Sequence, residues 1–403
     1  MKIRFAFSII QYLLVYLGNG SNVSTTTIST TNLSTDITHS DEDAESYTAT
    51  TFSPDRWNID SYHLNPRSVG TAIVTTNGLI LTCGNYDMSS TGYFTDPFCE
   101  IYLPMSQKWH TAATMQAGRD TYTLTVLQDG KSILAVGCSD DIDSYTVEIY
   151  DIEIDLWTFV PVLMEDQRLS HTATLLQNGQ ILIVGGKLSV IDLFDTSRAC
   201  LYDPSSNMFI RTGSMNIPRS WHVATLLNDG LSVLVTGGYP TLYGGALPSE
   251  IYINGSWFYT NNDMMCDCTG HAAALLPDGN VLIAGGYSYS YGVVSSAILY
   301  DPATHTFSPT QSMACSRMGF TLTLLPSGQV LAAGGIGFTT DECPLVCELY
   351  DPVSGQWTST RLLNTIRQGH AAGIINNSVI LIGGYDDDGD PNNPVDQIEI
   401  YYL

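Results

Sequence analysis

The chain has 403 residues, of which 44% are apolar and only 14% are charged, so it can bury a large core. Its 40 acidic residues outnumber its 15 basic residues and give a formal net charge of −25. Because nucleic acids and anionic membranes are bound through basic patches, this charge argues against both as partners.

The first 20 residues have the layout of a secretory signal peptide. Lys2 and Arg4 form a basic start, Phe5 to Leu17 form an apolar run, and Gly18 and Gly20 offer small residues for cleavage. The apolar run is shorter than the roughly 20 residues that cross a bilayer. We therefore expect a secreted protein with no membrane span in the mature chain, and an uncleaved signal anchor is the alternative.

Residues 21–52 are rich in Ser and Thr and contain an acidic run at 41–45. Such a tract has too few apolar side chains to offset the entropy of ordering it, so we predict a disordered stalk that is open to O-glycosylation. Sequons for N-glycosylation lie in this stalk and further along the chain, at Asn22, Asn32, Asn254 and Asn376.

From residue 53 to residue 403, one unit is repeated seven times. The units align on seven residues that lie 49 to 52 positions apart: Arg67, Arg119, Arg168, Arg219, Cys268, Arg317 and Arg367. Each unit has an apolar run, a turn pair such as Asn178-Gly179, a second apolar run, and then a pair of small residues such as Gly185-Gly186. Asn-Gly and Asp-Gly pairs form tight turns because both residues tolerate positive φ, so a β-hairpin is predicted at the start of each unit.

A second pair of strands is predicted in the remainder of each unit. A third strand ends in a tyrosine, and in five units a large aromatic residue follows seven positions later. The tyrosines are Tyr102, Tyr150, Tyr202, Tyr252, Tyr300, Tyr350 and Tyr401. Each unit thus predicts four antiparallel strands, which we call a to d in chain order.

The period of about 50 residues, with Gly-Gly, then Tyr, then Trp, resembles the kelch repeat. The resemblance covers residues 53–403 and implies an all-β fold, a β-propeller with one four-stranded blade for each repeat. Seven repeats then predict a seven-bladed propeller.

The two ends of the repeat region are predicted to meet in one blade. The seventh unit stops after strand c at Tyr401 and has no strand d of its own, while Trp57 lies ten residues before Arg67. In five other units, the same spacing separates the alignment residue from an aromatic residue: Trp109, Phe209, Phe258, Phe307 and Trp357. We therefore expect the N-terminal strand to pair with the C-terminal strands and close the propeller, which removes exposed sheet edges.

Strand direction assigns the connections to two faces. The short a–b and c–d turns share the lower face, whereas the longer b–c loops and the d–a connections share the other, which we call the upper face. Loops on a rigid scaffold often carry binding residues, so we expect the upper face to bind. Candidate tyrosines in its loops are Tyr239, Tyr243, Tyr287, Tyr289 and Tyr291.

Six of the 15 basic residues are alignment arginines at the start of the innermost strand a: Arg67, Arg119, Arg168, Arg219, Arg317 and Arg367. One interpretation is a positively charged channel mouth that binds a carboxylate or a sulfate through bidentate hydrogen bonds. The other is that each arginine ties its strand to neighbouring carbonyls and carboxylates. Recurrence in nearly every repeat favours the second interpretation.

Two patterns are considered as metal sites. Four histidines lie three residues after their alignment residue and would ring the channel too far apart to share an ion: His171, His222, His271 and His370. The acidic run 386–390 lacks the glycine and the closing glutamate of an EF-hand loop. We predict no bound metal and no cofactor.

The nine cysteines predict disulfides and at least one free thiol in an oxidising compartment. Cys83 ends strand b and Cys99 begins strand c of one unit, so the two can face each other. Cys343 and Cys347 flank a short loop and form a second candidate pair. Cys266, Cys268 and Cys315 are left without assigned partners.

These features predict a monomeric extracellular recognition module for a protein or a glycan. The alternative is a secreted carbohydrate-active enzyme, either a sugar oxidase or a mutarotase or epimerase on a kelch propeller. Oxidases resembling galactose oxidase need a further C-terminal domain, which we do not expect in a chain that ends at Leu403. The sequence has no Gly-x-Ser-x-Gly elbow, zinc helix motif or phosphate loop, so binding is favoured over catalysis.

Overall fold

The computed structural model describes residues 57–403 except for 63–70, 76–77, 88–93, 104–105, 107, 120, 138–145, 163, 167, 189–193, 240–246, 265–266, 338–342, 376 and 387–394. The predicted signal peptide and stalk lie outside the described residues. So do five of the predicted site residues: Asn22, Asn32, Arg67, Tyr243 and Asn376. In the described part of the chain, no helix has the length and apolarity that a membrane crossing requires.

Short antiparallel strands make up the regular secondary structure of the described residues, apart from one 3-10 turn. The first strand is β1 (Asn58–Tyr62). Blade one follows with β2 (Thr71–Val74), β3 (Ile80–Asp87), β4 (Phe94–Leu103) and β5 (Lys108–Ala112). Blade two contains β6 (Thr123–Val126), β7 (Ser132–Val136), β8 (Val147–Asp151) and β9 (Leu156–Phe159). Blade three contains β10 (Thr172–Leu175), β11 (Ile181–Val184), β12 (Ala199–Asp203) and β13 (Met208–Arg211). Blade four contains β14 (Val223–Leu226), β15 (Val233–Thr236), β16 (Glu250–Ile253) and β17 (Ser256–Tyr259).

Blade five differs from the others because a small extra sheet lies beside it. Its region contains β18 (Cys268–Thr269), β19 (Ala272–Leu275), β20 (Val281–Ala284), β21 (Tyr287–Ser288), β22 (Gly292–Val293), β23 (Ala297–Asp301) and β24 (Thr306–Pro309). Strands β19, β20, β23 and β24 form the four-stranded blade, and β18, β21 and β22 form the extra sheet.

The last two blades complete the chain. Blade six contains β25 (Thr321–Leu324), β26 (Val330–Ala333), a 3-10 turn (Cys343–Leu345), β27 (Val346–Asp351) and β28 (Gln356–Leu362). Blade seven contains β29 (Ala371–Ile375), β30 (Ser378–Ile382) and β31 (Gln397–Tyr402). The prediction of an all-β propeller built from four-stranded antiparallel blades is confirmed.

The N-terminal strand β1 is the fourth strand of blade seven. It pairs antiparallel with β31, with Asn58 opposite Ile400. The Trp57 ring packs on Tyr401 at a centroid distance of 5.2 Å. In the other six blades, the tyrosine of strand c packs on an aromatic side chain of strand d at 5.0–5.3 Å. Trp57 therefore has the position that the strand d aromatic residue has in every other blade.

In blade four, the sequence offers two neighbouring aromatic residues, Trp257 and Phe258, for the strand d position. The spacing of ten residues pointed to Phe258, whereas Trp257 packs on Tyr252 at 5.3 Å. The c–d hairpin turns at Asn254 and Gly255 and is shorter than in the other blades, with Tyr252 directly opposite Trp257. Because neighbouring side chains on a strand point to opposite faces, Phe258 is left 52% exposed.

The hydrophobic core lies between the blades, because strand b is buried on both of its faces. Leu134 and Val136 of blade two pack against blade three, where they contact Ile181 and Ile183. The alternate residues of the same strand, such as Ile133, pack against blade one. The innermost strands contact one another in sequence from β2 to β29, and β29 contacts β2. The strongly apolar second run of each repeat is thus explained by burial between two neighbours.

The glycine pair at the end of strand b allows adjacent blades to approach closely. The second glycine donates a backbone hydrogen bond to the alignment residue of the next blade, as from Gly335 to Arg367 at 2.8 Å. The first glycine has positive φ, and a Cβ on Gly334 would lie 2.4 Å from the His370 ring. Side chains are therefore excluded here by both conformation and space.

Candidate functional site

Four of the alignment arginines form buried ion pairs with a glutamate on strand c of the same blade. The Nη2–Oε1 distances are 2.8–2.9 Å, and both side chains of each pair are shielded from solvent. The pairs are Arg119–Glu148, Arg219–Glu250, Arg317–Glu348 and Arg367–Glu399. In these four blades, the geometry favours the structural interpretation of the arginines over ligand binding.

Each pair also binds backbone groups, which compensates for its burial. Arg317 donates to the carbonyl oxygens of Gly334 and Val346, both at 2.9 Å. Glu348 accepts from the backbone amides of Ala314 at 2.7 Å and Cys315 at 3.2 Å. One ion pair thus holds together the d–a connection, the end of strand b and the start of strand c. A buried charge needs such additional hydrogen bonds to be tolerated.

The glutamates are functional partners that the sequence analysis missed. Each lies two residues before the tyrosine that recurs at the end of strand c, as Glu348 precedes Tyr350. A repeated Glu-x-Tyr pattern inside an apolar strand was the available signal. Blade five has neither partner, since Cys268 and Ile298 occupy the two positions. Blade three retains Arg168 but has Cys200 at the glutamate position.

The four histidines connect neighbouring blades. The Nε2 atom of each lies 2.8–3.1 Å from a threonine hydroxyl of the preceding blade, in the pairs Thr123–His171, Thr172–His222, Thr236–His271 and Thr321–His370. Burial lowers the pKa of His171, His222 and His370 to about 3 and that of His271 to about 4. The imidazoles are therefore neutral at physiological pH. Across the described ranges, no three His, Cys, Asp or Glu side chains form a group that could hold a metal.

Three of the predicted tyrosines come together on the upper face. Tyr289 lies between Tyr239 and Tyr287, at ring-centroid distances of 5.7 and 5.6 Å. The Lys187 ammonium lies 5.5 Å from the centre of the Tyr239 ring and 3.8 Å from the Asp195 carboxylate. We call Tyr239, Tyr287 and Tyr289 the aromatic cluster. Residues from the b–c loops of blades three, four and five meet here.

A short hairpin holds the exposed part of this cluster in place. Strand β21 pairs with β18 on one side and with β22 on the other. The buried Ser288 hydroxyl and the Ser290 hydroxyl both donate to the Asp267 carboxylate. Tyr289 and Tyr291 therefore project from a braced hairpin tip.

The exposed tyrosines can both stack and donate hydrogen bonds. Tyr289 is 41% exposed and Tyr291 is 83% exposed. Burial raises the pKa of the Tyr289 hydroxyl, and the neighbouring tyrosines and carboxylates raise it further. The hydroxyl stays protonated at physiological pH and is available as a donor. An aromatic face with a polar tip suits protein and sugar surfaces alike.

Asn254, the glycosylation candidate inside the described residues, lies away from this site. It is exposed, has φ +48°, and forms the c–d turn of blade four on the lower face. Of the acidic run 386–390, the structure describes Asp386 alone, so the rest of that loop lies outside the described residues.

The prediction that the chain forms disulfides is confirmed, but one predicted pairing is wrong. Cys83 is bonded to Cys99 within blade one. Cys343 is bonded to Cys315 instead of Cys347, which is a buried free thiol. Cys347 lies on strand β27 and packs into the hydrophobic core. The turn that precedes this strand brings Cys343 to the d–a connection instead. The nearer residue in sequence was therefore not the nearer residue in space.

Known proteins resemble this chain in sequence and in structure. No protein-family model matches the chain. In sequence, it is similar to Kelch-like protein 15 of Homo sapiens, with 25% identity over 273 residues, 61% of this chain and 43% of that protein. Alpha-scruin of Limulus polyphemus is 29% identical over 213 residues, 50% of this chain and 23% of that protein. The chain spans less than half the length of these relatives.

Two solved structures share the architecture. A fungal alcohol oxidase of the AA5 family, in complex with copper, has a TM-score of 0.65 at 18% identity, and the match covers 87% of this chain and 76% of that one. The structure of YjhT has a TM-score of 0.55 at 14% identity, covering 72% of this chain and 97% of that one. At these identities the likeness shows the fold alone.

Proposed function

We propose that this kelch-repeat β-propeller is a monomeric extracellular recognition module that binds a protein ligand through its upper face. The observation that carries the proposal is the aromatic cluster, together with Tyr291, on the braced β21–β22 hairpin. Tyrosine is enriched among the residues that dominate protein interfaces because it buries a large area with few rotatable bonds.

The electrostatics of the molecule support a partner with a basic surface. The chain carries a net charge of −25, and four of its arginines are neutralised in buried pairs. A strongly acidic surface attracts basic partners and raises their association rate. The tyrosine hydroxyls and the aromatic faces then supply contacts that depend less on ionic strength.

Two features support an extracellular location. The apolar run after Lys2 and Arg4 has the length of a signal peptide. The bonds Cys83–Cys99 and Cys315–Cys343 are of the kind that persists in oxidising compartments. The exposed Asn254 sequon would then accept a glycan on the face opposite the binding site.

The second candidate, a secreted carbohydrate-active enzyme, is favoured by one observation. A solved structure with the same architecture is an alcohol oxidase in complex with copper. Within the residues that the structure describes, the four buried histidines are hydrogen-bonded to threonines of neighbouring blades and are not free to bind copper. Turnover of a panel of sugars and alcohols, with and without added copper, would support this candidate over the recognition role.

The proposed function is tested by capturing partners with the secreted chain from cell-surface and extracellular extracts. The variant Tyr289→Ala/Tyr291→Ala is expected to weaken binding of a captured protein at least 30-fold, because two contact aromatics are lost. Binding of glycans on an array, with no captured protein, would instead make the ligand a sugar.

Phe258→Ala is the matched control. It removes an aromatic side chain of similar exposure from the outer strand of blade four, away from the hairpin. We expect it to bind as the unmodified protein does. If Phe258→Ala abolishes binding and the double tyrosine variant retains it, the interface lies on the outer edge of the propeller and the proposal is wrong.

A further inference from the structure

Blade three contains an arginine that lacks the strand c glutamate found in four other blades. Arg168 is 4% exposed and holds the same position as the four paired arginines, but Cys200 replaces the glutamate. Its Nη1 atom donates to the Arg198 carbonyl oxygen at 2.7 Å, which anchors the side chain. The Nη2 atom lies 3.8 Å from the Asp166 carboxylate, too far for a hydrogen bond.

The backbone groups that receive a glutamate in other blades are also present. In blade four, the amides of Asn216 and Ile217 donate to Glu250, three and two residues before Arg219. The corresponding amides in blade three are those of Glu165 and Asp166, three and two residues before Arg168. The Cys200 side chain is shorter than glutamate and has no carboxylate, and burial raises the pKa of its thiol, so it offers no anion to these donors.

An open pocket of about 300 Å³ occupies this part of the blade. Its lining includes Arg168, Cys200 and the two loop acids. Asp166 is paired with Arg198, and Glu165 is paired with Arg211 at 2.7 Å. The two acids are thus matched by two exposed arginines. The buried Arg168 guanidinium therefore leaves one positive charge in excess.

We propose that the Arg168 pocket binds the carboxylate group of a small ligand, which takes the place that glutamate fills in blades two, four, six and seven. One carboxylate balances the single excess charge. It would accept from the Arg168 guanidinium and from the amides of Glu165 and Asp166, as Glu250 does from its own set. A free carboxylic acid, a uronic acid and a peptide C-terminus share this chemistry. The site lies in blade three, apart from the aromatic cluster, so it does not depend on the proposed function.

The first test is thermal unfolding of the disulfide-bonded protein in sodium acetate against sodium chloride, at equal pH and ionic strength. A ligand at about 100 times its Kd raises the Tm of a propeller of this size by about 3 °C, and the rise should saturate. Glucuronate and N-acetylglycine in place of acetate distinguish a sugar acid from a peptide C-terminus as the preferred source. Acetamide, which is neutral, should have no effect.

The variant Cys200→Glu tests the mechanism directly. It supplies the missing carboxylate from the chain itself, so we expect a higher Tm and no further response to acetate. Cys200→Ser keeps the pocket and is expected to retain the response. An acetate response that persists unchanged in Cys200→Glu would overturn the proposal.

Alkylation of the unmodified protein provides a second measurement that needs no variant. Acetate in the pocket should slow the reaction of Cys200 with N-ethylmaleimide at least 5-fold. Peptide mass spectrometry measures the rate of this reaction. The buried thiol of Cys347 reports any unfolding. If neither Tm nor the Cys200 rate responds to any of the three carboxylates, the proposal is wrong. Partner capture by the aromatic cluster would be unaffected by that result.

Discussion

The buried arginine–glutamate pairs connect the strands in the upper part of blades two, four, six and seven. Removing two ions from water is costly, and these pairs recover the cost through hydrogen bonds to three backbone segments. Blade five lacks both members, so the chain itself contains a version of the site without charge. Loss of one partner alone should be far more harmful than loss of both.

Glu348→Ala is expected to destabilise the protein by about 3–5 kcal/mol, because Arg317 and two backbone amides lose their acceptor. The double variant Arg317→Met/Glu348→Leu removes both charges together and should cost clearly less. Urea denaturation of the unmodified, single and double variants measures the difference. Equal or greater loss in the double variant would show that the pair is not a coupled unit.

We expect the four buried histidines to make the protein less stable in mild acid. Their folded pKa values of about 3 to 4 lie below the unfolded value near 6.5, so protons bind preferentially to the unfolded chain. The stabilisation is complete above pH 6.5 and falls as the pH drops towards 3. For His222 alone, the expected loss from pH 7 to pH 5 is about 2 kcal/mol.

The measurement is the free energy of unfolding as a function of pH for the unmodified protein and for His222→Gln. Glutamine does not titrate, so the variant should have a shallower dependence between pH 6.5 and pH 4. Identical slopes for the two proteins would mean that His222 is not buried in its neutral form.

At the scale of residues, the sequence revealed the arginine of each ion pair but not its glutamate partner. The arginines were visible because they recur at a constant spacing, while the glutamates lie in strands whose other residues are read as core. The Cys343 pairing was wrong because distance along the chain is a poor guide where a turn reverses direction. Tertiary contacts of this kind cannot be derived from one repeat considered alone.

At the scale of elements, strand β1 is the piece on which blade seven depends. Trp57 is 2% exposed and packs on Tyr401, and the Asn364 side chain donates to its backbone oxygen at 2.7 Å. The strand was predicted from the position of a single tryptophan. The prediction was possible because the seventh unit lacked an element that every other unit had.

Trp57→Ala is expected to cost about 3–5 kcal/mol, since a large side chain is removed from a packed core. The exposed Phe258 is the matched control, and Phe258→Ala should change stability by no more than about 0.5 kcal/mol. Denaturant midpoints of the two variants provide the comparison. Similar small effects in both would mean that β1 contributes little to the blade.

The β21–β22 hairpin was not predicted as an element. The sequence indicated a tyrosine-rich loop, but the alternation of Tyr and Ser at 287–291 gave no indication that Asp267 would brace it. This brace turns a loop of aromatic residues into an ordered contact surface.

At the scale of the whole molecule, a period of about 50 residues was sufficient to predict the blades and the two faces. Each blade buries its second strand between two neighbours, so the hydrophobic pattern directly reflects the architecture. The ligand was not predictable in the same way, because binding depends on loops that differ from blade to blade. The same differences, in blades three and five, are where the structure departs most from its own repeat.

The central claim is that the upper face, at the β21–β22 hairpin, binds a protein partner. Hydrogen–deuterium exchange of the chain with and without a captured partner tests it most directly. We expect reduced exchange in peptides that cover 287–293 and the residues around Tyr239, with no change in peptides that cover β17. Protection confined to β17 and the other outer strands, with an unchanged hairpin, would contradict the claim.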